Sequence, residues 1–192
     1  MTDSLKSAKA SLRAEIRARM QAFAADKPAT TARKFCEQLR HQSVWAHAKS
    51  VLLFAPLADE PNLWPLLMEA LAARKTVCLP RYDSASEGYV ARQVRDLHQD
   101  LVCGKFRVRE PAADCPEVPL NRLDLVLVPG VAFDPRGGRL GRGQGYYDRL
   151  LADVRGTKCG VAFDEQIVDA VPVGPLDIRL NCILTPTRWI ET

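Results

Sequence analysis

Four short apolar runs that close on proline constrain this chain more than any other feature. Residues 49–55, 76–79 and 124–128 run directly into Pro56, Pro80 and Pro129, and residues 182–184 reach Pro186 one residue later. A fifth run, 158–163, has the same character without the proline. Runs of this length with no polar alternation read as strands buried on both faces. Helical patterns separate several of them, and strands alternating with helices indicate a mostly parallel sheet. The expected architecture is α/β: a mostly parallel sheet with helices on both faces, a Rossmann-like three-layer single domain over residues 1–192. Proline cannot extend a central ladder, so it marks strand ends. Ligands of open α/β sheets bind beyond the carboxyl ends of the strands. The Asp59/Glu60 loop, Arg81/Tyr82 and the Gly/Arg-rich segment after residue 134 are therefore expected to share one rim.

That segment runs Asp134-Pro-Arg-Gly-Gly-Arg-Leu-Gly-Arg-Gly-Gln-Gly-Tyr-Tyr-Asp148. It follows an apolar strand and leads into a helix expected over residues 146–154. Glycine lets backbone N–H groups converge into an anion-binding nest. Arginine adds fixed charge in a two-pronged fork. A strand, a Gly/Arg loop and a helix start make a phosphate cradle, and a flexible surface loop with solvated arginines is the competing reading. The segment is not a Walker A motif, because no Gly-Lys-Ser/Thr closes it. It is not the dinucleotide fingerprint either, because no glycine falls three after Gly143.

The amino-terminal residues 5–25 read as a long helix, with Ala8, Leu12, Ile16, Met20 and Phe23 near a 3.6-residue period. It is expected to pack on the domain. Lys9, Arg13 and Arg17 stack along an adjacent face, where a solvated edge is the plain reading. Pro28 is placed to open a second helix over residues 30–40, and a third is expected over 63–74. Residues 84–119 are less regular, with short strands expected at 89–94 and 106–108 and an extended surface connection over 110–119.

Composition removes several classes of function. The 192 residues suit one domain, and 47% apolar content supports a sizeable core. No run of about 18 apolar residues occurs, so no membrane partner is expected. The six cysteines are scattered with no C-x-x-C spacing, which suits free thiols in a reducing, cytoplasmic compartment. His41, His47 and His98 lack metal-pair spacing. The net charge of +4 suits an anionic small molecule, and no interleaved aromatic and basic motif asks for nucleic acid. A monomer is expected.

Val128-Pro-Gly-Val-Ala-Phe-Asp134 followed by Arg139-Leu-Gly-Arg-Gly-Gln-Gly-Tyr-Tyr-Asp-Arg149 closely resembles the signature of the 5-formyltetrahydrofolate cyclo-ligase (methenyltetrahydrofolate synthetase) family. Lys9-Ala-Ser-Leu-Arg13, residues 54–62 and the tail from Val161 to Pro186 resemble it too, while residues 84–119 match weakly. The resemblance implies ATP-dependent conversion of 5-formyltetrahydrofolate to 5,10-methenyltetrahydrofolate, ADP and phosphate, with magnesium as cofactor and ATP as co-substrate. It implies ATP contacts at Lys9, Arg13, Arg139, Leu140, Gly141, Arg142, Gly143, Gln144, Gly145, Tyr146 and Tyr147. Arg142, Gly143, Gln144, Gly145 and Tyr146 match positions that also approach the folate, and Arg142 is the expected catalytic residue. Leu57, Glu60 and Asn62 match the substrate loop. Asp148 matches a magnesium ligand, and a first-turn acid stabilising its helix is compatible with that. Asn62 stands where many members are acidic, leaving open whether Glu60 or Asn62 fixes the pterin. Asn181 stands where some members of the family carry a metal-binding aspartate. These two asparagines are what favour the alternative, a catalytically inactive nucleotide or folate binder.

Overall fold

A computed structural model describes residues 3–24 and 31–192 of the chain. The expected helix opening at Pro28 lies outside the described residues. Five helices occur among them: α1 (Asp3–Ala24), α2 (Thr31–Arg40), α3 (Ser43–His47), α4 (Trp64–Ala72) and α5 (Tyr146–Ala152). The strands are β1 (Ser50–Leu52), β2 (Thr76–Asp83), β3 (Gly88–Val94), β4 (Leu101–Cys103), β5 (Arg109–Pro111), β6 (Leu125–Val128), β7 (Ala132–Phe133), β8 (Arg139–Leu140), β9 (Thr157–Val161), β10 (Cys182–Leu184) and β11 (Trp189–Glu191).

Seven strands form one sheet in the order β11-β10-β9-β6-β1-β2-β3. The five central strands are parallel, and the edge strands β3 and β11 are antiparallel to their neighbours. Side chains alternate between two cores, as the pleat requires. Val51, Leu53, Val77, Leu79, Leu125, Leu127, Cys159 and Leu184 face a core closed by Phe35 and Leu39 of α2, Trp45 of α3, and Leu66 and Leu67 of α4. Leu52, Cys78, Val126, Val128 and Ile183 face the other, closed by Leu150 and Leu151 of α5 and by Phe133. Both faces being apolar explains why these runs carry no polar alternation. A third cluster sets Ile16 of α1 against Ala132, Leu140 and Val171.

Three of the four proline boundaries hold, since β1, β6 and β10 end before Pro56, Pro129 and Pro186. Pro80 does not end its strand: β2 continues to Asp83, with Pro80 opposite Ala91. The reason lies in the neighbours. Ala91 O accepts from Val118 N–H on the outer side of β3, so the polar backbone of Ala91 points away from β2. Pro80 correspondingly points toward β1, whose pairing with β2 stops at Cys78. A proline there costs no ladder bond.

Residues 105–107 form a 3-10 turn, where a strand over 106–108 was expected. Arg107 has φ 58°, a left-handed conformation that breaks an extended run, and the turn closes the β4–β5 hairpin. The connection over 110–119 is extended but not wholly at the surface. Glu110 is buried, and Gln93 N–H and Val118 N–H bond it to β3, covering an otherwise open sheet edge.

The β7–β8 hairpin is held by a buried carboxylate. Asp134 accepts from Arg136 N–H (2.8 Å) and Gly138 N–H (3.1 Å) through Oδ1, and from Val171 N–H (2.7 Å) through Oδ2. Asp134→Ala leaves three N–H groups without their partner, so unfolding in urea should show a loss of roughly 3 kcal/mol. A loss within about 0.5 kcal/mol, the scale of an ordinary surface change, would contradict this role.

Candidate active site

The strand order reverses at one place. From β1 the chain steps outward to β2, then returns past β1 to place β6 on its other side. Chain leaving the carboxyl ends of β1 and β6 therefore diverges, and a crevice opens between them. A cleft of about 320 Å³ occupies this position. Phe54, Ala55, Leu57 and Glu60 reach it from β1, and Pro129 and Gly130 from β6. Val108 arrives from the β4–β5 hairpin, and Arg139, Gly141, Arg142, Gln144, Gly145, Tyr146, Tyr147 and Asp148 from the Gly/Arg segment.

That segment is not one continuous loop. Its first third is the turn of the β7–β8 hairpin, where Arg136 Nη2 donates to Asp169 O at 2.9 Å. Leu140 is in the core beside Ile16. Arg139 is also buried, with 4% exposure. Its Nη1 donates to Pro129 O at 3.2 Å and its Nη2 to Asp148 Oδ1 at 2.9 Å. Its Nε is buried with no partner among the described residues. Only residues 141–145 form an open loop. Gly143 and Gly145 have φ of 108° and 68°, where a side chain would be strained, and Gly145 starts α5.

Helix α1 meets this loop from outside the cleft. Arg13 Nε donates to Gly141 O at 2.9 Å. Lys9 is buried and pairs with Asp177, Nζ to Oδ1 at 2.7 Å. Arg17 and Ala8 are exposed, so the cationic row divides into two packed members and one solvated one. Asp177, 168 residues from Lys9, left no trace in local sequence pattern.

The acidic loop faces the arginines. Arg142 Nη2 donates to Asp59 Oδ1 at 2.8 Å and to Glu60 Oε1 at 3.1 Å. Glu60 Oε2 accepts from Leu57 N–H at 3.0 Å. Asn62 is exposed, and its Oδ1 accepts from Trp64 N–H at the start of α4. Of these two, Glu60 lines the cleft. Burial pushes its carboxyl above the usual 4.5, against the pull of Leu57 N–H and Arg142.

Tyrosines form the opposite wall. Tyr146 packs edge-on against Tyr82 (centroids 5.7 Å apart) and Tyr89 (5.3 Å), and Tyr89 lies 5.8 Å from Tyr147. Tyr89 begins the short strand expected over 89–94, here β3, and sequence reading gave it no role at the site. Antiparallel pairing of β2 with β3 brings it opposite Tyr82. Burial raises the Tyr89 hydroxyl to about 12, so it stays a neutral donor at physiological pH.

Asp148 lines the cleft with one oxygen engaged by Arg139. Among the described residues no group of three His, Cys, Asp or Glu could hold a metal ion. A cation here would take its remaining ligands from substrate phosphates and water, a donor set that suits magnesium. Asn181 lies at the amino end of β10, with Oδ1 accepting from Lys158 N–H at 2.8 Å. The cleft is at the carboxyl ends, so Asn181 does not bear on it.

A carboxyl raised on folding favours the folded state below its ordinary range and loses that contribution as pH rises through the folded value. Glu60→Gln removes this dependence. Urea midpoints should therefore move in the variant's favour, relative to wild type, between pH 4 and pH 7. A constant difference would contradict the burial of an ionising Glu60.

The sequence model of the 5-formyltetrahydrofolate cyclo-ligase family matches residues 5–186. The 5-formyltetrahydrofolate cyclo-ligase of Escherichia coli K12 is 36% identical over 148 residues, covering 75% of this chain and 81% of the relative. The mouse enzyme of the same name is 27% identical over 191 residues, 94% of either chain. The structure of Aquifex aeolicus 5,10-methenyltetrahydrofolate synthetase superposes with a TM-score of 0.84 at 31% identity, covering 95% of this chain and 92% of that one. With a cleft at the sheet's switch point and a match along nearly its whole length, the chain belongs to the 5-formyltetrahydrofolate cyclo-ligase family.

Proposed function

We propose that this protein catalyses the ATP-dependent closure of 5-formyltetrahydrofolate to 5,10-methenyltetrahydrofolate, releasing ADP and phosphate in a reducing cytoplasm. The observation that carries the reading is the meeting of the Arg142 loop and the Glu60 loop over an aromatic-walled cleft. A flat heteroaromatic ring with a hydrogen-bonding edge suits such a cleft. Glu60 offers a carboxylate to the amino-pyrimidinone edge of the pterin. Leu57 packs against the ring, and Tyr146 forms part of its wall. Asn62, engaged at the start of α4, is left out of this contact.

The formyl oxygen is a poor leaving group because it belongs to an amide. In the proposed reaction it attacks the γ-phosphorus, and ADP leaves. N10 then attacks the activated carbon, inorganic phosphate departs with the C–O bond, and N10 gives up its proton as the ring closes. Phosphoryl transfer needs positioning and charge neutralisation more than covalent chemistry. Arg142, within the open loop of residues 141–145, supplies a mobile cation to the transferring group. Arg139 supplies a fixed one deeper in the cleft. Arg13 orients the loop through Gly141 O, and Lys9 meets ATP only on leaving Asp177, its partner here. The backbone of Gly143, Gln144 and Gly145, with Tyr146 and Tyr147, completes the nucleotide side, and Leu140 contributes through its backbone.

Asp148 is the protein ligand we assign to magnesium, which would neutralise phosphate charge when bound with ATP. One carboxylate suffices when phosphates and waters supply the other oxygens.

Two variants test these roles by the absorbance of the methenyl product. Arg142→Ala should lower kcat by about 10²–10³-fold, the range for loss of one transition-state donor, and near-normal turnover would remove the assignment. Asp148→Asn should raise the magnesium concentration needed for half-maximal rate. An unchanged magnesium titration would leave Asp148 as the partner of Arg139 alone.

A further inference from the structure

Arg142 faces two carboxylates, and the proposed chemistry asks it to face a phosphate. While it pairs with both acids its charge is neutralised, so a phosphate must compete with them for it. Asp59 Oδ1 and Glu60 Oε1 receive the same nitrogen, Nη2, at 2.8 and 3.1 Å. Glu60 is 9% exposed, so it depends on protein partners, whereas Arg142 is 49% exposed and can be redirected. The backbone allows redirection: Arg142 lies between Gly141, fixed by Arg13 at its carbonyl, and Gly143 at φ 108°.

We infer that the Asp59–Arg142–Glu60 bridge couples the two substrates, with Asp59 a positioning residue that holds Arg142 off the nucleotide until folate is bound. This rests on the function proposed above. A pterin edge donating to Glu60 replaces the bond from Arg142, so releasing the arginine no longer strands a buried carboxylate. The freed guanidinium then meets the γ-phosphate at less cost. Folate therefore tightens nucleotide binding, and by linkage the nucleotide tightens folate binding by the same factor. Glu60 takes part in folate recognition itself. Asp59 does not line the cleft, and its role ends when Arg142 turns to the phosphate.

The test is calorimetric titration of the magnesium complex of the β,γ-imido analogue of ATP into intact protein, with and without saturating 5-formyltetrahydrofolate. In wild type, the folate should tighten the analogue by about fivefold or more, the lower end of ordinary coupling between sites. In Asp59→Asn, the analogue alone should bind more tightly than to wild type. The folate enhancement should shrink, and kcat at saturating substrates should be unchanged. Equal analogue affinity with and without folate overturns the inference. So does an enhancement that Asp59→Asn leaves intact, because folate would then be contacting the nucleotide directly. Wild-type turnover separates the two levels: an active enzyme without coupling removes this inference alone, and an inactive one removes the proposed function as well.

Discussion

The buried guanidinium of Arg139 is the contact on which the site depends. It ties three pieces that separate elements deliver: the end of β6 through Pro129 O, the hairpin strand β8 that carries it, and the first turn of α5 through Asp148. A charge this deep is tolerated only with its partners in place. The tie therefore fixes where the 141–145 loop leaves the hairpin and where Tyr146 and Tyr147 enter the cleft. Asp134 secures the same hairpin from its turn, and Ile16 of α1 packs beneath Leu140.

Rigidity on one side permits movement on the other. Arg139 is buried and held at two points, while Arg142, three residues later, is half exposed and, among the described residues, bonded to acids across the cleft. One glycine, Gly141, lies between them, and a second, Gly143, follows Arg142. A fixed cation suits the floor of a phosphate site, and a movable one suits a group whose charge changes during transfer. At Tyr89 and Tyr147 the aromatic wall adds shape without charge: burial holds the Tyr89 hydroxyl near 12 and pushes the Tyr147 hydroxyl well above its usual value.

Much of this was legible in sequence because it rests on local pattern. Apolar runs without alternation indicate strands buried on both faces, and β1, β6, β9 and β10 are such strands. Of the glycines and arginines of residues 136–145, Arg139, Gly141, Arg142 and Gly145 lie along one side of the cleft, while Arg136, Gly137 and Gly138 belong to the hairpin turn. What escaped depends on partners distant in the chain. Pro80 sits inside β2 because β1 stops short, a fact about a neighbour. Tyr89 joins the wall through its pairing with β2, and Asp177 meets Lys9 across 168 residues. The division of the Gly/Arg segment into hairpin and loop was hidden because Arg139 and Leu140 are buried by α1 and α5, elements the local pattern does not see. Asn181, which stands where the resemblance implies a metal ligand, lies at the amino end of β10, away from the cleft.

The account stands on one reaction in one cleft. Its most direct measurement follows methenyl absorbance from purified protein with 5-formyltetrahydrofolate, magnesium and ATP, against the same mixture without ATP. The account predicts product growth that requires ATP and yields one ADP per methenyl formed. A flat trace from folded protein that still binds ATP would contradict it, and would leave a binder that keeps the family's fold without its chemistry.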